Sequence, residues 1–597
     1  MKNNFFITML LFALAAIIFS HSIFENNELF GQKDWDQFIM WNAVPHKTIL
    51  TYHQFPLWNP YVNGGNVMLA HPHSPFLSPF FIFVLFFGPI MGLKIQITVH
   101  LFLGFCGMYI LTKHLGVRGM GGYLSSFIFM GSSLFSLHLT EGHTEWLAMA
   151  FVPWFFLFYL KSLEESKNIL GGIIFLSLIL LNGSVDVFNI MMVFIVLFAF
   201  LKSIQMRQWF PVKSLGVILA GTFLFCAVKL IPMLDFIGHN PRVMSDDSAV
   251  SINVLFHMLL NPDQSILDMM NWLDGYRMGL VYEWHEYGAY VGYIPLILCM
   301  WGTIKFFEKQ WPLICSGLIT FIIAMGNSPL LNLWSMLHKF PVYDSLTVPS
   351  RFILGFIFYL SIIAGMTFYA FDQYMQKKSN QHKNYLFVIP MALFMLVTYD
   401  LYESNSSVFQ NAFRVESVQL RENIIFAQRY REVLFYEDYL VNSSIYPVFL
   451  SNGGIIEAYE VMQLKQGDVK VMGEPDYRGE FYLDRPYGEI DQEYFSPNEQ
   501  RFSVNLNEAN LLMINQNYHQ GWKAEVAGKK TPVTEIHGLI SVLLPPGTYQ
   551  IRLYYLPETF IIGLIVTALT ICLAVINLVK NQAVPFLSKP EILQEQN

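Results

Sequence analysis

The chain contains 597 residues, of which 54% are hydrophobic and only 13% are charged. An ordinary soluble domain carries about 25% charged residues, so this composition argues against a water-soluble protein. It favours a polytopic membrane protein, whose lipid-facing helices are apolar on every side. The formal net charge of −8 argues against nucleic acid as a partner. The five cysteines fall within apolar runs, and we interpret them as buried hydrophobic residues.

Runs of about 20 apolar residues predict membrane helices. Twelve such runs occur, at 4–22, 92–112, 120–137, 146–160, 169–182, 186–201, 213–232, 288–304, 311–326, 350–371, 384–400 and 558–579. Another run at 76–91 is interrupted by prolines, and we interpret it as a re-entrant or interfacial hairpin. The first run contains Ala13-Leu14-Ala15, a weak signal-peptide processing site, but it continues to Phe19. An uncleaved anchor is therefore favoured over a cleaved signal peptide.

Basic residues concentrate in alternate loops and in both terminal segments. They are Lys2, Lys113, Arg118, Lys161, Lys167, Lys202, Arg207, Lys213, Lys305, Lys309, Lys377, Lys378, Lys383, Lys580 and Lys589. Since cytoplasmic loops are enriched in lysine and arginine, the pattern predicts that both termini are cytoplasmic. It places the large loops 23–91, 233–287 and 401–557 outside. Counting 76–91 as a full span would invert every later loop and break this pattern.

Two aspartates follow the first apolar run, in the sequence Lys33-Asp34-Trp35-Asp36-Gln37. Acidic side chains just outside a first membrane helix are well sited to meet a lipid-borne substrate at the bilayer surface. A carboxylate within reach of a hydroxyl group can act as a general base. Alternatively, Asp is a preferred helix N-cap, and an interfacial helix could open at Gln37. The spacing alone does not decide between these roles.

A second polar group, Glu141-Gly142-His143-Thr144-Glu145, lies between two apolar runs in the second outer loop. In an extended chain the two carboxylates and the imidazole would share one face. They could orient a substrate or hold a divalent cation, with Glu141 and His143 as weak metal candidates. The alternative is a solvated turn. His71 and His73 form a weaker metal pattern, and structural hydrogen bonding is favoured for them.

Two cations lie near the predicted outer ends of helices. Arg351 could neutralise a substrate phosphate, or it could simply snorkel to the interface. Lys229 is a second phosphate candidate, although an ion pair with Asp235 is equally plausible. Three further polar residues are interpreted as a rim without assigned chemistry: Glu283, His285 and Glu286.

The composition of the sequence differs between Leu401 and Pro557, where charged residues become frequent. Alternation with a period of two appears, as in Tyr549, Ile551 and Leu553. Turn signals such as Pro545-Pro546-Gly547 recur. Short strands at this spacing predict a β-sandwich-like domain. The last apolar run then returns the chain to the cytoplasm.

Several short motifs are distributed along the chain. They are Asp34-Trp35-Asp36-Gln37, Pro56-Leu57-Trp58-Asn59-Pro60-Tyr61, Gly64-Gly65-Asn66, His71-Pro72, Gly142-His143, Pro349-Ser350-Arg351-Phe352, Asn517-Tyr518-His519-Gln520-Gly521-Trp522, Leu544-Pro545-Pro546-Gly547 and Tyr554-Tyr555-Leu556-Pro557. Together these motifs resemble bacterial YfhO-type membrane proteins. Members typically have Pro-Gly-Trp and Asp-Gly where this chain has Gln520-Gly521-Trp522 and Ala527-Gly528. The resemblance spans nearly the whole chain.

That family is similar in architecture to the GT-C glycosyltransferases. These multi-span enzymes take a sugar from a polyprenyl-phosphate carrier on the outer face of the membrane, and an acidic residue of the first outer loop is the usual catalytic candidate. The resemblance therefore implies that Asp36 or Asp34 is the catalytic base, with Asp36 slightly favoured. The residues implied in substrate binding are Glu141, His143, Glu145, Arg351 and Lys229. A divalent cation is possible, and no other cofactor is implied.

We therefore predict a polytopic α-helical membrane protein of about 12 spans, with a GT-C-like architecture, in the bacterial cytoplasmic membrane. Residues 1–400 form the membrane domain, with a large first outer loop at 23–91. Residues 401–557 form an extracytoplasmic β domain, and 558–597 form the final helix and a cytoplasmic tail. The expected partners are a polyprenyl-phosphate-linked sugar, a cell-envelope glycan or glycolipid acceptor, and membrane lipids.

Two other functions remain open at this stage. A transporter or flippase of lipid-linked saccharides would have intramembrane charges and repeated halves. Lys229 fits the first feature, but no internal repeat is evident in the sequence. A structural scaffold of the envelope would explain the β domain but not the acidic first loop.

Overall fold

The computed structural model describes residues 2–579, except 28, 32, 245–247, 265–279, 328–330, 383–384, 417–424, 434–443 and 461. The basic residues Lys383, Lys580 and Lys589, and the predicted tail 580–597, lie outside the described residues.

Helices dominate the first two thirds of the described chain. They are α1 (Lys2–Ser20), α2 (Trp35–Leu50), α3 (Phe81–His114), α4 (Met120–Met130), α5 (Ser133–Thr140), α6 (Val152–Glu164), α7 (Ile169–Leu181), α8 (Val185–Met206), α9 (Phe210–Phe225), α10 (Ala227–His239), α11 (Ile252–Leu260), α12 (Tyr293–Ala324), α13 (Leu333–Leu337), α14 (Ile353–His382) and α15 (Val388–Ala412). Later come the short α16 (Ile445–Leu450) and the last described helix, α17 (Glu558–Val579).

Seven of the described helical segments are long and apolar enough to cross a membrane. The number rises to eight if α9 and α10, which are bent by 88° at their junction, count as one broken span. The prediction of a multi-pass helical protein is confirmed, whereas the predicted number of about twelve spans is not. Four predicted spans do not meet this criterion of length and hydropathy: 169–182, 288–304, 311–326 and 384–400.

The predicted spans 288–304 and 311–326 both fall within α12. The side chain of Tyr359 contacts both predicted spans. Its hydroxyl group forms a hydrogen bond with Thr303 in the first span, and its ring lies against Gly317 in the second. A straight helix would separate those two positions by about 21 Å, which is farther than a tyrosine side chain reaches. The helix therefore bends between Thr303 and Gly317, where Pro312 lies.

The chain also reverses within the predicted hairpin at 76–91. Gly88 has a non-helical φ of 77° ahead of Pro89, inside α3. A methyl group placed on Gly92 would lie 2.5 Å from the Cα atom of Val84. In a straight helix these residues would be about 12 Å apart. The first turns of α3 therefore fold back on the longer part of the helix.

The C-terminal third is rich in strands, as predicted. After β1 (Leu29–Gly31), β2 (Trp58–Asn59) and β3 (Asn66–Val67), the chain forms β4 (Phe413–Glu416), β5 (Ala427–Glu432), β6 (Gly453–Glu457), β7 (Phe481–Leu483), β8 (Glu489–Ser496), β9 (Glu499–Leu506), β10 (Asn510–Asn517), β11 (Trp522–Val526), β12 (Lys529–Thr531), β13 (Val533–Ile536), β14 (Leu539–Leu544) and β15 (Gly547–Tyr555). The helix α15 continues to Ala412, past the predicted boundary at 400.

Two antiparallel sheets make up most of this β domain, with strand orders β13-β14-β10-β7 and β12-β11-β15-β9-β8. Phe481 of the first sheet packs against Phe502 of the second, with 5.1 Å between ring centroids. Ile551 and Leu553 point inward from β15, as their alternation predicts. Their burial, together with Phe502, gives the two sheets a shared apolar core, the arrangement of a β-sandwich.

The first loop, residues 23–91, is docked onto the β domain. The Asn498 side-chain oxygen accepts hydrogen bonds from the backbone N–H groups of Leu57 and Trp58, at 3.2 and 2.9 Å. The Trp58 indole donates to Gln516 Oε1 at 2.8 Å, and its ring lies 5.4 Å from that of Trp522. The motifs at the two ends of the sequence therefore meet in one buried contact.

Candidate functional site

A polar cluster forms where loops from distant parts of the sequence meet the ends of several candidate spans. Gly142, with φ at 98°, brings the second loop against the first. A methyl group on Gly142 would lie 2.5 Å from the backbone nitrogen of Trp35. The Trp35 indole also donates to the carbonyl of Leu139 at 2.9 Å. These contacts fix Asp34 and His143 side by side.

Asp34 is an accessible carboxylate of the cluster, since 42% of its side chain is exposed. Its Oδ2 atom lies 3.3 Å from His143 Nε2, and His143 Nδ1 lies 3.1 Å from His138 Nδ1. Burial alone would lower the pKa of His143. The hydrogen bond to Asp34 and the charges of Glu145 and Glu286 outweigh burial and raise that pKa to about 9. At neutral pH the imidazole is therefore a cation that holds the Asp34 carboxylate.

Asp36 lies in the first turn of α2 and is fully buried. The Tyr459 hydroxyl group donates to its Oδ1 atom at 2.6 Å, while Oδ2 has no hydrogen-bond partner within the described part of the chain. Burial raises the pKa of Asp36 to about 7, although the hydrogen bond from Tyr459 opposes the change. A carboxyl group that titrates near neutral pH suits general-base catalysis.

Asp34 does occupy the N-cap position of α2, but its side chain makes no capping hydrogen bond. The hydrogen bond that a capping role for Asp34 would require is therefore not formed. Asp34 instead faces His143, and Asp36 faces Tyr459 of the β domain.

Arg351 is held by two carboxylates rather than left open. Its Nε atom donates to Glu286 Oε2 at 2.7 Å, and Nη2 bonds the other oxygen of the same group. The Nη1 atom donates to Asp186 Oδ2 at 2.7 Å. Burial tends to raise the pKa of Glu286, but Arg351 holds it well below its usual range. A phosphate would have to share Arg351 with both Glu286 and Asp186.

The segment Glu141 to Glu145 is neither extended nor solvated. The helix α5 ends at Thr140, a helical turn spans Thr144–Phe151, and the acidic and histidine side chains are buried. The expectation of an extended chain with one shared face is therefore wrong, and so is the solvated-turn alternative. Glu141 pairs with Lys33 at 3.0 Å. Glu145 Oε2 is buried without a hydrogen-bond partner among the described residues.

Lys229 lies apart from this cluster. Its ammonium group donates to the carbonyl oxygens of Pro72, Ser74 and Leu180, at 3.0, 2.6 and 3.1 Å. These bonds use all three N–H groups, so Lys229 ties a loop to the end of α7 and offers no free donor to a phosphate. Its predicted partner Asp235 instead lies 3.4 Å from His239.

The structure adds residues to which the sequence analysis assigned no chemistry: Lys33, Asp186, Glu283, His285, Glu286 and Tyr459. The sequence signal for some of them was present, because acidic and histidine residues at 283–286 precede an apolar run. His285 Nε2 lies 3.4 Å from Glu286 Oε1. Burial lowers the pKa of His285, but Glu141 and Glu286 outweigh that effect and raise it. Tyr459 had no local signal, since only tertiary folding brings it to Asp36.

The family model for the bacterial membrane protein YfhO matches residues 488–567. This segment runs from the start of β8 into α17, and it contains Gly521-Trp522 of the C-terminal motif. The match confirms the YfhO resemblance for this C-terminal segment, and it agrees with a membrane-embedded, multi-pass chain. No curated protein matches the chain significantly.

Proposed function

We propose that the protein is an integral-membrane glycosyltransferase of the GT-C type. It moves a sugar from a polyprenyl-phosphate carrier to a cell-envelope glycan or glycolipid on the outer face of the cytoplasmic membrane. The observation that carries this proposal is the pairing of Asp34 with His143, whose ring lies 5.1 Å from that of His285. His285 leads in turn to the Glu286–Arg351 pair, and Asp36 lies under Tyr459, two residues along the chain from Asp34. The distribution of basic loops supports an outer location for the site.

The proposed reaction is a direct displacement. A carboxylate, Asp36 or Asp34, removes the proton of an acceptor hydroxyl group. The acceptor oxygen then forms a bond to the anomeric carbon while the bond from that carbon to the carrier phosphate breaks. Polyprenyl phosphate leaves with the bonding electron pair, and the anomeric configuration inverts. Arg351 would balance the charge on the leaving phosphate.

The two aspartates differ in the properties that a catalytic base needs. Asp34 is exposed and oriented by His143, so an acceptor can reach it directly. Asp36 has a pKa near 7, but Tyr459 covers it, so an acceptor must displace that tyrosine. A cavity of about 560 Å³ adjoins Tyr459 and is lined also by Glu457, Gln463 and other residues of the β domain. An acceptor in this cavity would contact Tyr459, the residue that covers Asp36.

A transporter without catalysis was the alternative to this enzyme. Lys229 was the feature that favoured it, and the bonds of that ammonium group to three carbonyls give Lys229 a structural role instead. Lys229 therefore no longer supports the transporter.

The proposal is tested by transfer of radiolabelled sugar from a polyprenyl-phosphate donor in proteoliposomes. Asp34→Asn and Asp36→Asn are compared with wild type, and Asp491→Asn, at an exposed position of β8, is the matched control. Loss of the true base should lower the transfer rate by about 100-fold or more. If both variants fold and transfer sugar as wild type does, the catalytic assignment is wrong.

The pH dependence of transfer separates the two aspartates. A base with a pKa of about 7 must be deprotonated, so activity that depends on Asp36 should fall as the pH drops below about 7. Tyr459→Phe removes a hydrogen bond that favours the carboxylate, and it should move this limb to higher pH. If Tyr459→Phe leaves the acidic limb of the pH–activity profile unchanged, Asp34 rather than Asp36 is the base.

A further inference from the structure

Three side chains beside Asp34 converge on a single point. His285 Nδ1 lies 3.9 Å from Glu141 Oε2 and 3.8 Å from Glu283 Oε2. Each residue offers one ligand atom, and the three atoms lie within 4.8 Å of one another. They come from the end of α5 and from the loop before α12, so the fold, rather than local sequence, assembles the set.

The imidazole of His285 is fixed with one nitrogen facing this point. Its Nε2 atom lies 3.4 Å from Glu286 Oε1, and Arg351 holds that carboxylate in turn. The residue is only 8% exposed, and its Nδ1 atom has no hydrogen-bond partner among the residues described. Histidines that bind metals usually donate their second ring nitrogen to a carboxylate in this way, which leaves the first free for the ion.

We propose that Glu141, Glu283 and His285 bind a divalent transition-metal cation, Mn²⁺ or Zn²⁺. One imidazole nitrogen with two carboxylate oxygens is a ligand set that suits either ion. Metal–ligand bonds of about 2.0–2.2 Å place tetrahedral ligands about 3.3–3.6 Å apart. The two carboxylate oxygens lie 3.9 and 3.8 Å from His285 Nδ1, so a small inward movement of the side chains would bring them to bonding distance. The exposed Glu283 side chain, at 63%, gives the ion a path from solvent.

Lys33 stands in for the cation in the structure described. Its ammonium group lies 3.0 Å from Glu141 Oε1 and 2.5 Å from Glu283 Oε2, so it neutralises the carboxylates that would bind the metal. Lys33 also has a left-handed backbone with φ at 57°, a strained conformation for a residue other than glycine. A flexible lysine side chain can leave toward solvent. Binding is then an exchange in which the metal enters as the Lys33 ammonium group withdraws.

The metal site does not depend on the proposed sugar transfer, because binding needs neither donor nor acceptor. If transfer occurs, the ion would lie beside the Asp34–His143 pair. There its charge would add to that of Arg351 in balancing the leaving phosphate.

The test uses the full chain in detergent, stripped with EDTA and equilibrated with Mn²⁺ or Zn²⁺ alone. We expect one equivalent of metal in wild type by elemental analysis. Affinity should fall at least about tenfold in His285→Ala and in Glu141→Gln. His239→Ala is the matched control, because His239 also pairs with a carboxylate, that of Asp235, but lies outside the set. With Mn²⁺, spin-echo spectroscopy should detect a coordinated histidine nitrogen in wild type but not in His285→Ala.

Lys33→Met separates this proposal from a purely structural role for Lys33. Removing the competing ammonium group should tighten metal binding, by about tenfold if exchange limits affinity. If Lys33 is merely the structural counter-ion, the variant should lose thermal stability and gain no metal. Wild type that binds no more metal than His285→Ala overturns the site. If such a protein still transfers sugar, the proposed function stands, whereas metal binding without transfer would contradict only the proposed function.

Discussion

The surroundings of Asp36 have a large energetic consequence. Its carboxyl group is removed from water, and the described residues supply one side-chain hydrogen bond, that from Tyr459. A buried carboxylate without a cation beside it is costly, so the group favours its neutral form. Buried carboxyl groups with a strongly shifted pKa are concentrated at functional sites, where the charge is needed.

Asp36→Asn should therefore stabilise the protein at alkaline pH. The folded pKa of about 7 lies above the ordinary value of 3.8, so the contribution of Asp36 to stability is full below about pH 4 and is lost as pH rises through 7. At pH 8 the ionised group costs up to about 4 kcal/mol, which asparagine avoids. Thermal unfolding in detergent at pH 5 and pH 8 measures the difference, which should be larger at pH 8.

Asp491→Asn is the control for this measurement, because Asp491 is exposed and its substitution should leave stability unchanged at both pH values. A variant at Asp36 that unfolds at a lower temperature than wild type at pH 8 would contradict the prediction. It would show that the carboxylate is stabilised by interactions beyond the bond from Tyr459.

Gly142 matters at the level of elements, because it sets how closely the second loop approaches the start of α2. Gly142→Ala should separate the loops, since the new methyl group would lie 2.5 Å from the Trp35 nitrogen. A displacement of about 1 Å at a reacting group can cost 100-fold in rate. We expect the sugar-transfer rate to fall by about that factor in the proteoliposome assay.

The matched control for this change is Gly528→Ala. Gly528 shares a positive φ, at 76°, but a methyl group there would have nothing within 4 Å. Both variants carry backbone strain, and only the first carries the steric clash. Equal loss of activity in the two would show that strain, rather than the approach of the loops, is responsible.

Elements that depend on local pattern could be predicted from sequence, and those set by distant contacts could not. The strands near Tyr549 and Ile551 follow their alternation, and apolar runs gave most of the long helices. The segment at Glu141 to Glu145 was expected to be extended because spacing alone cannot show that it is buried between loops. The Tyr459–Asp36 bond joins residues 423 apart in sequence, so no local signal could have revealed it.

The orientation of the whole molecule follows from its basic loops and is open to test. We expect the β domain outside the cell and the link between α8 and α9 in the cytoplasm. With Cys572 changed to serine, Lys529→Cys should react with a membrane-impermeant maleimide in intact cells. Arg207→Cys should react only after permeabilisation. Both positions are exposed, so a reversed pattern would invert the topology and remove the site from the outer face.

The contact between the first loop and the last strands also constrains biosynthesis. Trp58 and its partner Gln516 are separated by 458 residues, and a ribosome adds about 5–20 residues per second. The tryptophan must therefore wait roughly 20 to 90 s after its own translation before its partner emerges. Throughout that interval a nascent chain presents an uncovered aromatic surface, so chaperones and proteases can distinguish an unfinished protein from a complete one.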